Sequence, residues 1–241
     1  LDLYRRLRHL PYSVLLDSNQ SSASNSRFDM ICADPTEVIL QESSGQTRWL
    51  LGGQWHDVVK DSLTYLKERL SSYPATSSTT LNLPFTGGAL GFLSYDYARQ
   101  LEFLPDTTLD DIALPNLCFG IYRWVVVRDS QSKRNYLVLR PECTELEKKQ
   151  LLTLLDLSAP AQRQPFKLRS EFVSNFSPEA YANNFKKVQS YIRAGDCYQV
   201  NLARRFSAEY DGEPLSAYEA LQAQTNGPFS ALIEFGDYSL L

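Results

Sequence analysis

Gly195-Asp196-Cys197-Tyr198-Gln199-Val200-Asn201-Leu202-Ala203-Arg204-Arg205-Phe206 opens on a helix stop and runs on into residues that favour a strand. Upstream, Ser177-Pro178-Glu179 supplies an N-cap serine, a proline at the first helical position and an acid in the first turn. Tyr181, Phe185, Val188 and Ile192 then fall on one helical face, and Gly195 suits the left-handed backbone that ends a helix. A long strand is predicted from Cys197 to Tyr210, so only one of Arg204 and Arg205 points inward. A short helix about Leu215 to Gln224 comes next, then a turn at Asn226-Gly227-Pro228. A strand over Phe229 to Phe235 turns at Gly236-Asp237 into Tyr238 to Leu241.

Toward the N-terminus, Leu3, Leu7 and Leu10 recur at helical spacing until Pro11. Strands are predicted at Ser13 to Asp17 and Arg27 to Ala33, separated by a Ser/Asn-rich loop over residues 18–26. Val38 to Leu40 and Arg48 to Leu51 read as a hairpin about Gly45. Trp55, Val58, Val59, Leu63, Leu66 and Leu70 make one apolar stripe and predict a helix from Gln54 to Leu70. Strands follow at Leu90 to Tyr95, Leu117 to Arg128 and Asn135 to Leu139, then a helix over Glu145 to Leu157. Residues 159–176, with two prolines and few aliphatics, are the expected linker between a domain at 1–158 and another at 177–241. A hairpin that stops on Leu240-Leu241 reads as a chain cut partway through its second domain.

The 241 residues are 43% apolar and 22% charged, the composition of a globular protein with a substantial core. Lys and Arg number 24 against 28 Asp and Glu, which argues against a nucleic-acid binder. No apolar run reaches the roughly 18–20 residues of a bilayer span. Cys32, Cys118, Cys143 and Cys197 are scattered and read as free thiols in a reducing, cytoplasmic setting.

The chemical candidates are few. Gly87-Gly88-Ala89-Leu90-Gly91 lacks the Gly-Lys-Ser/Thr of a phosphate cradle and reads as a tight turn with close strand approach. Asp96 is expected to satisfy a buried tyrosine or an arginine such as Arg99. Arg5, Arg6 and Arg8 read as a solvated helix face. Arg27 can grip a carboxylate bidentately or pair with Asp29 or Asp34 on the surface; spacing favours surface pairing.

The stretch from Gly195 to Phe206 resembles the segment opening the chorismate-binding domain of the anthranilate synthase component I family. Three further stretches agree in order: Leu15-Leu16-Asp17-Ser18 with Arg27-Phe28-Asp29; Gly87 to Phe92 with Tyr95-Asp96; and Asn226 to Ala231. Cys197, Asn201 and Phe229-Ser230 make it most similar to the aminodeoxychorismate synthase branch, ahead of the branch that makes anthranilate. The resemblance implies an α+β fold of antiparallel sheets packed as a sandwich with flanking helices, here truncated. It implies a regulatory, amidotransferase-docking domain at 1–158 and the start of a catalytic domain at 177–241.

The family's chemistry is conversion of chorismate with ammonia from a glutamine amidotransferase subunit, giving 4-amino-4-deoxychorismate for folate. Mg²⁺ is the implied cofactor, but the family's catalytic and metal residues are expected beyond Leu241. A tryptophan pocket is implied at Ser18, Asn25, Ser26, Arg27, Phe28, Pro228, Phe229 and Ser230, which requires residues 18 and 25–28 to lie beside 228–230. A non-catalytic amino-acid-binding domain is the reading from another class.

Overall fold

Side chains alternating inward and outward build two antiparallel sheets from the first 140 residues and from residues 230–240. A computed structural model describes residues 1–19, 26–74, 82–105, 109–157, 164–225 and 227–241. They fall into two units, Leu1–Ala161 with Leu221–Leu241, and Gln162–Ala220. The segment 177–241 is thus divided between the units.

The first unit begins with helix α1 (Asp2–Leu7), strands β1 (Ser13–Asp17), β2 (Phe28–Cys32), β3 (Glu37–Gln41), β4 (Thr47–Leu51) and β5 (Gln54–Val58), and helix α2 (Ser62–Ser71). It continues through β6 (Gly88–Leu93), a short 3-10 turn at Tyr95–Gln100, β7 (Leu117–Tyr122), β8 (Trp124–Asp129), β9 (Arg134–Leu139) and helix α3 (Glu145–Asp156). The second unit holds β10 (Lys167–Leu168), β11 (Val173–Ser174), α4 (Pro178–Ala194), β12 (Phe206–Ser207) and β13 (Tyr210–Asp211). Helix α5 (Pro214–Thr225) leads out of it to β14 (Ser230–Phe235) and β15 (Tyr238–Leu240).

One sheet has the order β15-β14-β1-β2-β8-β9 and the other β5-β4-β3-β7-β6. Val14, Cys32, Val125, Val127, Ile233 and Phe235 of the first meet Val38, Cys118 and Tyr122 of the second in one buried cluster. The expected sandwich is therefore present, with α+β content. The outer face of the five-stranded sheet buries Ile39, Leu117 and Ile121 against Leu66 of α2 and Tyr97. All four cysteines are free thiols. Gly91 permits the close pairing of β6 with β7: a Cβ there would lie 2.0 Å from the Cys118 carbonyl oxygen.

Three expected elements differ. The helix over 54–70 is a strand followed by a shorter helix. Gly52 and Gly53, at φ 59° and 79°, turn the chain back so that Trp55 pairs with Leu50. Asp61 then caps α2, accepting from the Thr64 N–H at 2.8 Å. The strand over 117–128 breaks at Arg123: Leu117–Tyr122 belongs to one sheet and Trp124–Asp129 to the other, so Tyr122 and Trp124 do not share a face. The strand over 197–210 is irregular except at β12 and β13, because among the described residues no strand pairs with 197–205. Arg204 consequently reaches Ser174 Oγ at 2.7 Å rather than alternating with Arg205 across a sheet. Part of the expected linker is also ordered, as β10 and β11.

The helix ends follow the sequence closely. Thr144 and Glu147 form a reciprocal capping box on α3, and Ser177 caps α4 with Pro178 in its first turn. Helix α4 stops at Gly195 in left-handed backbone.

Candidate functional site

Strand β1 lies between β2 and β14, so residues some two hundred positions apart in sequence become neighbours. Asp17 pairs with Ser230 and Leu16 with Ala231 on one side, while Leu16 pairs with Met30 on the other. This register brings Ser18, Phe28 and residues 228–230 to one end of the six-stranded sheet. Leu16, Phe28, Met30 and Ala231 pack toward the sandwich core. Asn25 lies outside the described residues.

The polar groups at this end are held by carboxylates. Ser18, almost fully buried, donates its N–H and its hydroxyl to Asp29 Oδ1 at 3.0 and 2.7 Å. With its proton committed, the hydroxyl oxygen is left as an acceptor, suited to a ligand ammonium. Asp17, also buried, accepts from the Asn19 N–H at 2.7 Å and from the Gln222 side-chain amide.

Arg27 does not pair with Asp29 or Asp34. It takes the bidentate option with Asp129, Nε to Oδ1 at 3.0 Å and Nη2 to Oδ2 at 2.8 Å, because Phe28 pairs with Asp129 across β2 and β8. These bonds, joined by the N–H groups of Ser132 and Gln131, hold the Asp129 carboxyl well below its ordinary range. The guanidinium also lies 4.5 Å from the Phe28 ring centroid. Arg27 thus orients Phe28 and the chain entering β2, and its charge is already compensated.

Ser26 is buried, and its carbonyl accepts from Ser130 Oγ at 3.3 Å. Ser230 donates to the Gly227 carbonyl at 3.3 Å, closing the turn that carries Pro228. Phe229 is 80% exposed, an apolar surface at the mouth of this sheet end. In the sequence Asp29 enters only as a surface partner for Arg27 and within the Arg27-Phe28-Asp29 motif, and Asp129 is not singled out. Asp129 had one signal, its place directly before the Ser130–Lys133 turn, where aspartate commonly accepts from turn N–H groups.

A cavity of about 690 Å³ opens at the Asp17 and Asp29 carboxylates of the same sheet, lined also by Leu15, Ile31 and Arg128 among others, and by none of Ser18, Phe28 or 228–230. Arg5, Arg6 and Arg8 are not a merely solvated face: Arg6 donates to Asp2 and to the Leu155 carbonyl, and Arg8 pairs with Glu234 at 3.1 Å. Asp96 pairs with Arg99 at 2.9 Å. Among the described residues no three His, Cys, Asp or Glu side chains converge to hold a metal ion, so these residues do not fit Mg²⁺.

Comparison with known proteins gives this geometry a context. The chain is 34% identical over 235 residues to aminodeoxychorismate synthase component 1 of Salmonella typhimurium, covering 98% of this chain and 50% of that protein. It is 24% identical over 249 residues to anthranilate synthase component 1 of Lactococcus lactis, covering 100% of this chain and 53% of that protein. The crystal structure of anthranilate synthase component I from Streptococcus pneumoniae matches with a TM-score of 0.73 at 26% identity, over 88% of this chain and 49% of that one. The chain spans about half the length of the relatives it matches. The family model for chorismate binding enzymes matches residues 13–241, and the chain belongs to that family.

Proposed function

We propose that this chain is part of an aminodeoxychorismate synthase component I, which replaces the 4-hydroxyl of chorismate with an amino group. One observation supports the choice of branch: 34% identity with the Salmonella typhimurium protein over 98% of the chain, against 24–27% with the anthranilate synthase components that match all of it and 34% with one that matches 66% of it. In this reading ammonia reaches the site from a glutamine amidotransferase subunit, water is lost as the amine enters, and the product feeds 4-aminobenzoate and folate synthesis. Mg²⁺ would supply charge neutralisation at the substrate carboxylate. The reading makes the enzyme cytoplasmic, and no described helix is long and apolar enough to cross a membrane. The 241 residues alone are expected to turn over no chorismate.

The same reading gives the sheet end at Ser18 a regulatory task, holding tryptophan. Its support is chemical. The Ser18 oxygen is an acceptor for the ammonium, backbone groups of the turn at 228–230 suit the carboxylate, and Phe28, Pro228 and Phe229 offer walls for the indole. Arg27 acts by positioning Phe28 rather than by gripping the ligand.

The test is genetic. The natural gene from which this sequence comes, expressed in a strain lacking aminodeoxychorismate synthase component I, should restore growth without 4-aminobenzoate. It should not restore growth without tryptophan in a strain lacking anthranilate synthase. The reverse pattern would transfer the chain to the anthranilate branch.

A further inference from the structure

Ser18 stands at a corner where β1 ends, and that corner is held from α5. Asn19 takes left-handed backbone at φ 50°, a region that asparagine tolerates better than most residues. Asp17 Oδ1 accepts from the Asn19 N–H at 2.7 Å, which closes a turn of the Asx kind around Ser18. Gln222 of α5 grips both arms of that turn. Its side-chain amide donates to Asp17 Oδ2, and its carbonyl accepts from Asn19 Nδ2 at 3.3 Å. Asp17 is almost fully buried, and a hydrogen bond to a buried carboxylate is stronger than one between neutral groups.

The same stretch of chain builds the facing half of the sheet end. Gln222 belongs to the unit that contains β1. Helix α5 ends at Thr225, Ser230 donates to the Gly227 carbonyl, and Ser230 pairs with Asp17 in the strand register. Asp17 is thus met twice, by the Gln222 amide and by the β1–β14 ladder. Between those two attachments the chain carries Pro228 and the exposed Phe229 ring. Leu215 and Tyr218 are the buried residues of α5, whereas the polar groups of Gln222 are spent on the 17–19 turn.

We propose that Gln222 is a positioning residue of the tryptophan site. Through Asp17 and Asn19 it fixes the Ser18 oxygen relative to Pro228 and Phe229, so that the ammonium acceptor and the apolar wall form one preassembled site. Gln222 acts on the ligand only through Ser18. The inference rests on the tryptophan reading given above.

The experiment is titration calorimetry with L-tryptophan on the protein encoded by the natural gene, beside melting curves. Gln222→Met keeps the length and helix propensity of the side chain but removes its donor. It should bind about fivefold more weakly, and Gln222→Ala should do the same, with both proteins folded at the assay temperature. Gln222→Lys keeps a donor for Asp17 and should bind as the parent does. The decisive background is Ser18→Ala. There Gln222→Met should cost less than about twofold further, because residues that act through one another are not additive. A full loss repeated in that background, or a loss equally large with Gln222→Lys, assigns Gln222 to general packing and overturns the proposal. Unweakened binding by Gln222→Met overturns it too and leaves the tryptophan reading standing. If the parent binds no tryptophan, that reading fails and the proposal falls with it.

Discussion

Arg27 and Asp129 lock the ends of β2 and β8 together through two parallel hydrogen bonds of 3.0 and 2.8 Å. Asp129 titrates below its ordinary value in the folded chain. The stability it contributes is therefore complete above the unfolded carboxylate range and is lost as pH falls through the folded value. Urea midpoints of the parent chain should fall steeply below pH 4. Asp129→Asn should be less stable at pH 7 and show a flatter acid limb; parallel limbs would remove Asp129 from the acid sensitivity.

Glu37 is a buried carboxylate held by four hydrogen bonds. It accepts two bonds from Arg69 at 2.7 and 2.8 Å, one from Trp49 Nε1 at 2.6 Å and one from Tyr73 at 2.5 Å. Burial alone would raise its pKa, but the bonds from Arg69, Tyr73 and Trp49 more than offset that and leave it lowered. Removing one partner of such a pair leaves a guanidinium uncompensated. Glu37→Ala should cost about 3–5 kcal/mol in urea unfolding. A loss under about 1 kcal/mol would show that Arg69 finds water instead.

What the sequence made legible was local. The cap at Ser177 and the stop at Gly195, and the strands at Ser13 to Asp17 and Phe229 to Phe235, carry their signals within a few residues. The failures were of two kinds. At Gln54 to Leu70 the helical stripe ran across a strand and a helix, and the Gly52-Gly53 turn that folds the strand back onto β4 lies outside the window. At Arg123 and at 197–205 the outcome depends on which strands are neighbours, a long-range property that periodicity does not encode. The site was legible only through resemblance. Ser18 and Phe28 to Ser230 became neighbours by register, and the partner of Arg27 was a residue 102 positions away.

Gly91 tests the close approach of β6 and β7. An added Cβ would meet backbone, the Cys118 carbonyl at 2.0 Å and Phe119 Cα at 2.7 Å, so the strands must separate. Gly53, with nothing within 4 Å of an added Cβ, is strained only by its φ of 79°. Gly53→Ala should cost about 1 kcal/mol, and Gly91→Ala several times more, read as a drop in melting temperature. Equal losses would mean that the sheet accommodates the methyl.

Ser18 and Phe229 test the tryptophan reading separately. Ser18→Ala removes one acceptor for a ligand ammonium, a contact of about 1.5 kcal/mol, and should weaken L-tryptophan binding roughly tenfold by calorimetry. Phe229→Ala should weaken it by a similar factor through lost apolar contact, with little change in stability because the ring is 80% exposed. If both variants bind as the parent does, the ligand lies elsewhere.

The pairing of β1 with β14 also governs how the protein is made. Val14 emerges from the ribosome early, whereas its partner Ile233 is some two hundred residues behind it. At about 5–20 residues per second, β1 waits roughly 10–40 s before that neighbour is synthesised. During that interval the nascent chain presents an open, largely apolar strand edge, which chaperone binding would protect and slowed elongation would expose for longer.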